Sequence, residues 1–161
     1  MKSSVAAHRV RPTRWWVVLS VLALLGAVTR LTELGYPTDK GTPVFDEKHY
    51  VPQSWQILRG GLSAGIEDNP AYGLVVHPPL AKQLEALGMA VFGDTPVGWR
   101  ISVALLGIGV ILLTAATARR LASGTGYGDW VGLTAGLLAL CDGILFVRSC
   151  IPFQMFLHHL L

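Results

Sequence analysis

Three stretches of the chain are too apolar to present a polar stripe to water. The first, 15–31 (WWVVLSVLALLGAVTRL), has Arg30 as its only charge; as a helix its ~17 residues are just enough to cross about 30 Å of hydrocarbon. The second, 100–118, is apolar from Ile101 onward and lies between Arg100 and the Arg119-Arg120 pair. The third, 130–148, encloses one acid, Asp142, and an ionisable group inside such a span is costly and usually faces the protein interior. The pattern predicts three transmembrane helices in an all-α, multi-spanning integral membrane protein. A cleaved signal peptide fits the first stretch poorly, because Thr29-Arg30-Leu31-Thr32-Glu33 follows Val28 where small residues would be needed. It reads as an uncleaved anchor.

Between the first two spans, 32–99 is long for a structureless connection, so it should carry elements of its own. Two short helices emerge. Asp46 is placed to cap one that runs through Trp55, Ile57 and Leu58 to the Gly60-Gly61 stop, with Pro52 near its first turn. The other starts at His77-Pro78-Pro79, and its apolar positions Leu80, Leu84, Leu87 and Val91 keep helical spacing up to Gly93. Both are expected to lie along the membrane surface. The segment 65–73, with Asp68-Asn69-Pro70, reads as turn.

Composition agrees with this pattern. Of 161 residues, 52% are hydrophobic and 14% charged, against about a quarter charged in soluble domains. The mean hydropathy is +0.48. An ordinary soluble fold and a disordered chain are both excluded. The net charge of +3 is scattered, which argues against a nucleic-acid partner and for basic residues placed about a bilayer. Cys141 and Cys150, both in apolar surroundings, read as small buried thiols and not as a disulfide framework.

Charge placement orients the spans. Lys2, Arg9, Arg11 and Arg14 make 1–14 a basic cytoplasmic tail, and Arg119-Arg120 open a second cytoplasmic loop, 119–129. The 32–99 loop then faces outward. It carries eight acids (Glu33, Asp39, Asp46, Glu47, Glu67, Asp68, Glu85, Asp94) and four bases (Lys40, Lys48, Arg59, Lys82).

Two constellations in this loop bear chemistry. Phe45-Asp46-Glu47-Lys48-His49-Tyr50 sets adjacent carboxylates beside an imidazole; alone, it is equally an acidic pair capping a helix. In Val75-Val76-His77-Pro78-Pro79-Leu80-Ala81-Lys82, two prolines fix the backbone and aim the next helix, which is also all that a rigid helix entry requires. Asp46, Glu47, His49 and His77 are chemically suited to a divalent ion but lack tight ligand spacing, so no metal site is expected. Arg100, at a span's edge, is either a functional cation or a side chain snorkelling to the interface.

Taken in order, Phe45-Asp46-Glu47, His77-Pro78-Pro79-Leu80-Ala81-Lys82, Gly98-Trp99-Arg100 and Cys141-Asp142-Gly143 resemble the motifs of the protein O-mannosyltransferases, specifically the actinobacterial type. The resemblance runs from the first span to about Ser149. It implies a GT-C-type enzyme, here an N-terminal part, that transfers mannose from polyprenyl-phosphate mannose to Ser or Thr hydroxyls of exported proteins with inversion. It implies Asp46 as catalytic base with Glu47 beside it, and His77, Lys82, Arg100 and His49 as substrate-binding residues. No cofactor is implied, since the lipid-linked donor is a substrate. The implied partners are that donor, translocating acceptor proteins, the bilayer and the export machinery, in the cell membrane.

The same resemblance implies an incomplete chain, because family members have about ten or more spans. Residues 149–161, from Ser149-Cys150-Ile151-Pro152 to His158-His159-Leu160-Leu161, depart from the family pattern and read as an aberrant or truncated C-terminus. Two further functions stay open on sequence: another polyprenyl-phosphate-sugar-dependent glycosyltransferase, and a non-catalytic membrane fragment. The topology is directly testable. A cysteine introduced at Gly65 is expected to react with an impermeant maleimide in intact cells, and labelling only after permeabilisation would invert the orientation.

Overall fold

A computed structural model describes residues 12–32, 34–35, 43, 47–60 and 80–145, with side chains from Trp15 onward. Asp46, His77, Cys150 and the 149–161 segment, all singled out above, lie outside the described residues. Regular structure among the described residues is helical throughout: α1 (Pro12–Leu31), α2 (Glu47–Gly60), α3 (Leu80–Phe92), α4 (Pro96–Leu121), a 3-10 turn (Ser123–Thr125) and α5 (Gly128–Cys141).

One of these helices, α4, is long and apolar enough to cross a membrane, with 26 residues and a mean hydropathy of 2.3 over its most apolar window. It begins at Pro96, ahead of the expected 100–118 span, because Thr95 supplies an N-cap: its Oγ1 accepts from the Gly98 N–H at 3.2 Å, and Pro96 has no N–H to leave unsatisfied. The apolar part of α1, Trp15–Leu31, and α5 are shorter apolar helices. In α5 the helix stops at Cys141, short of the expected 130–148 stretch. There Asp142 turns to an extended conformation (φ −67°, ψ 113°), and its Oδ1 accepts from the Leu145 N–H at 2.6 Å. Asp142 thus breaks the helix for one residue and caps the helical turn 143–145 that follows.

α1, α4 and α5 pack around Trp15, Leu22, Ile111 and Ala115, with Val18, Leu19, Leu112, Ala116, Ala139 and Leu140 against that cluster. Small residues permit the approach: a Cβ at Gly136 would come within 2.5 Å of a Leu22 methyl. At one end, Arg119 pairs with Asp129 (2.6 Å) and stacks over the Trp15 ring at 4.6 Å. The outward surfaces of these helices are apolar, with Trp16, Leu24, Leu105, Leu113, Trp130 and Leu138 exposed. Cys141 is exposed as well, which corrects the expectation of a buried thiol: Leu140 and Leu145 on either side of it pack against the core, and Cys141 does not.

At the other end of α4, α2 and α3 pack on its first turns through Val51, Met89 and Trp99, with Trp55 alongside. α2 covers the segment expected, but Pro52 sits well inside it, where it cannot donate to the Lys48 carbonyl. α3 ends at Gly93 (φ +74°), a left-handed position that lets the chain reverse through Asp94 into the Thr95 cap. Its faces are sorted in an unexpected sense. Lys82, Glu85, Ala86, Gly88 and Met89 are buried, whereas Leu80, Leu87, Val91 and Phe92 face out. A Cβ at Gly88 would overlap the Gly98 carbonyl oxygen, so α3 and α4 meet backbone to backbone. Gly88→Leu is therefore expected to lower stability by about 1–3 kcal/mol, the usual cost of overpacking, read as a lower melting temperature in lipid nanodiscs.

Candidate active site

The site is built where α2, α3 and the start of α4 converge. Arg100 lies one turn into α4 and points inward, fully buried. Its Nε donates to Glu47 Oε1 at 2.6 Å and its Nη2 to Glu47 Oε2 at 2.7 Å, a bidentate fork. Nη1 donates to the Leu34 carbonyl at 2.7 Å. This replaces the snorkelling alternative with a buried anchor. Arg100 thereby joins three segments: the chain just after α1, the first residue of α2, and α4. Glu47 is equally buried and begins α2, where a carboxylate also complements the helix dipole.

A second layer lies on α3. Lys82 and Glu85 are three residues apart and share its buried face. They do not pair within 4.0 Å. The Lys82 ammonium instead sits 5.3 Å from the centroid of the Tyr50 ring, a cation–π contact. The Glu85 carboxylate accepts from Ser54 Oγ at 2.8 Å through Oε2, while Oε1 is buried with no hydrogen-bond partner among the described residues. Burial pushes the Glu85 carboxyl up to about 8, reinforced by the Glu47 charge and opposed by the Ser54 hydrogen bond and by Lys82. Burial likewise draws Lys82 below the usual lysine range, against the pull of Glu85.

Of the residues expected from sequence, the structure brings Glu47, Lys82 and Arg100 into one buried region, and places His49 on the exposed side of α2. Asp46 adjoins Glu47 along the chain, while His77 precedes α3 by three residues. Ser54 and Glu85 were missed. Their signal was the α3 pattern itself: the apolar stripe through Leu80, Leu87 and Val91 leaves Lys82 and Glu85 together on the opposite face. Arg30, expected at a span's edge, is also fully buried, with Nη1 donating to Thr29 Oγ1 at 3.1 Å. Among the described residues no group of three or more His, Cys, Asp or Glu side chains is gathered for a metal.

These features define a protein whose described residues form a helical array, with a membrane-length helix and a charged, buried site at one end of it. Comparison with known proteins gives the kinship. The chain is 56% identical over 140 residues to the polyprenol-phosphate-mannose–protein mannosyltransferase of Corynebacterium glutamicum, covering 85% of this chain and 26% of the relative. It is 51% identical over 136 residues to the protein of that name from Mycobacterium tuberculosis (84% and 25%), and 49% identical over 134 residues to that of Mycolicibacterium smegmatis (83% and 25%). No family model matches the chain, and no solved structure is similar to it. Over about 84% of its length the chain is thus a homologue of the polyprenol-phosphate-mannose–protein mannosyltransferases, glycosyltransferases by name, and it spans about a quarter of their length.

The fork between Arg100 and Glu47 generates a stability prediction. Arg100→Ala leaves the Glu47 carboxylate buried without its counter-ion, a loss expected to cost about 3–5 kcal/mol. Arg100→Lys keeps the charge but not the bidentate geometry and should recover only part of it. Thermal unfolding in nanodiscs checks the order wild type, Lys, Ala.

Proposed function

We propose that this chain supplies the base-bearing outer loop and its adjoining spans in a protein O-mannosyltransferase, which moves mannose from polyprenyl-phosphate mannose to Ser or Thr hydroxyls of translocating proteins. The observation that carries the reading is the buried Arg100–Glu47 fork, which fixes the start of α2 directly beside Asp46. The homology to enzymes named for that donor and that reaction supports it.

The chemistry follows from what the reaction demands. A serine or threonine hydroxyl is a poor nucleophile, so a base within about 3 Å must take its proton as the oxygen attacks the anomeric carbon. Asp46 is that base in this proposal. The new C–O bond forms on the face opposite the lipid phosphate as the bond from the anomeric carbon to the phosphate oxygen breaks; the phosphate departs with that electron pair, and the anomeric configuration inverts. Negative charge grows on that phosphate, and cations at the membrane edge stabilise it.

Two cations are candidates. Arg100 is already engaged by Glu47 and by Leu34, so its main part is to hold the loop. Lys82 faces the Tyr50 ring and is the cation assigned to the phosphate. Glu47 orients the acceptor or donor through its fixed position, and His49 and His77 border the same loop. The reading keeps three spans, an inward N-terminus and an outward 32–99 loop, with the bilayer holding the donor's prenyl chain and the export machinery delivering the acceptor.

The test is a chimera in which this chain replaces the 140 residues it matches in the Corynebacterium glutamicum relative. It is expected to transfer mannose to a Thr-rich peptide. Asp46→Asn, which keeps the shape and capping ability of the side chain, should lower kcat by about 10² to 10⁴ with the donor KM little changed. Near wild-type turnover at equal protein level would remove Asp46 from the base role. Transfer of a different sugar in donor competition would reassign the substrate.

A further inference from the structure

The Lys82–Glu85 layer holds a group for which the proposed reaction has no use. Glu85 is completely buried, yet one of its oxygens has no donor among the described residues and the other receives only the neutral Ser54 hydroxyl. An ionised carboxylate so placed would be costly, and would draw in the ammonium one turn away on its own helix. That ammonium is instead turned onto the Tyr50 ring. The arrangement is the one expected when Glu85 carries a proton; burial also draws Lys82 below the usual lysine range, so its ammonium is held best when an anion meets it.

We propose that Glu85 is a positioning residue that, by holding a proton, leaves the buried Lys82 ammonium uncompensated as a receptor for the phosphodiester of a lipid-linked sugar donor, and that losing the proton closes this receptor. The inference rests on the donor class of the proposed function and adds to it a control over donor affinity. The charged groups around Glu85 fit the role. From α2, Glu47 opposes ionisation of Glu85 and is itself bound by Arg100 of α4; from α3, Lys82 favours ionisation. With Glu85 protonated, the four groups carry one net positive charge, on Lys82. With Glu85 ionised they carry none, and the ammonium gains a partner three residues away.

The sign of the pH effect follows. Glu85 titrates near 8, above the ordinary carboxyl range, so the receptor is open below that value and closes as the pH rises through it. The donor's phosphodiester keeps one charge across this range and contributes nothing to the dependence. If only the protonated form binds, affinity should fall about fourfold between pH 7 and pH 8.5.

The experiment uses the chain in phosphatidylcholine nanodiscs and two probes: short-chain polyprenyl-phosphate mannose, and the methyl polyprenyl phosphodiester that lacks the sugar. For both, the wild type is expected to show the fourfold loss of affinity. Glu85→Gln, which keeps the Ser54 contact and cannot ionise, should bind equally at the two pH values, and Lys82→Gln should bind weakly at both. Infrared spectroscopy gives a readout independent of any ligand. A protonated-carboxyl band present at pH 6.5 and absent from Glu85→Gln is expected to fade with a midpoint near 8. A missing band, a wild-type affinity independent of pH, no binding of either probe, or a Gln variant that keeps the full dependence would each overturn the proposal. Failure of the mannosyl reading looks different: the chimera would not transfer mannose while the sugar-free phosphodiester still bound with this dependence.

Discussion

A guanidinium with no access to water has to be matched, and the end of this molecule where α2, α3 and the head of α4 meet is arranged around that requirement. Arg100 enters on a helix apolar enough to cross a membrane, in a position where an unmatched charge would cost several kcal/mol. Glu47 meets it with both oxygens and the Leu34 carbonyl takes a further N–H. Geometry so constrained admits one placement of α2 over the end of α4. The residue preceding Glu47 is Asp46, so the strongest fixed point of the loop lies one peptide away from the proposed base. Catalysis by positioned groups depends on such fixity, since small displacements of a reacting atom cost large factors in rate.

The second organising feature is the reversal of α3. Its polar side chains and small residues turn inward to meet α2 and α4, and its leucines, valine and phenylalanine turn outward. In water this sorting would be unfavourable. Its exposed Leu80, Leu87, Val91 and Phe92 add to the exposed apolar residues of α1, α4 and α5. Small residues at helix contacts let backbones approach closely. The approaches at Gly88 and Gly136 are the form that close contact takes here.

Much of the arrangement along the chain was legible in the sequence. The apolar runs located α1, α4 and α5, and the glycine and proline signals located α2 and α3. What escaped were relations between elements. No spacing rule links Glu47 to Arg100 across 53 residues, so the pair was read as two separate candidates. The stripe Leu80, Leu87, Val91 was found correctly, but a single chain does not state which face its neighbours will cover. Asp142 was read as a polar residue within a helix, whereas its tendency to bond the backbone of following residues breaks the helix at that point. Cys141 was judged by the polarity of its sequence neighbours, which measures lipid-like surroundings and not enclosure by protein.

The same 53-residue separation imposes an order on biosynthesis. A ribosome adding residues at about 5–20 per second delivers Arg100 roughly 3–10 s after Glu47. Throughout that interval the Glu47 carboxylate lacks the Arg100 guanidinium. α2 can meet α3 as soon as that helix is made, and the Arg100 fork closes last. A substitution that delayed the arrival of α4 would prolong one state, an α2 already packed on α3 with its first carboxylate still without the Arg100 fork.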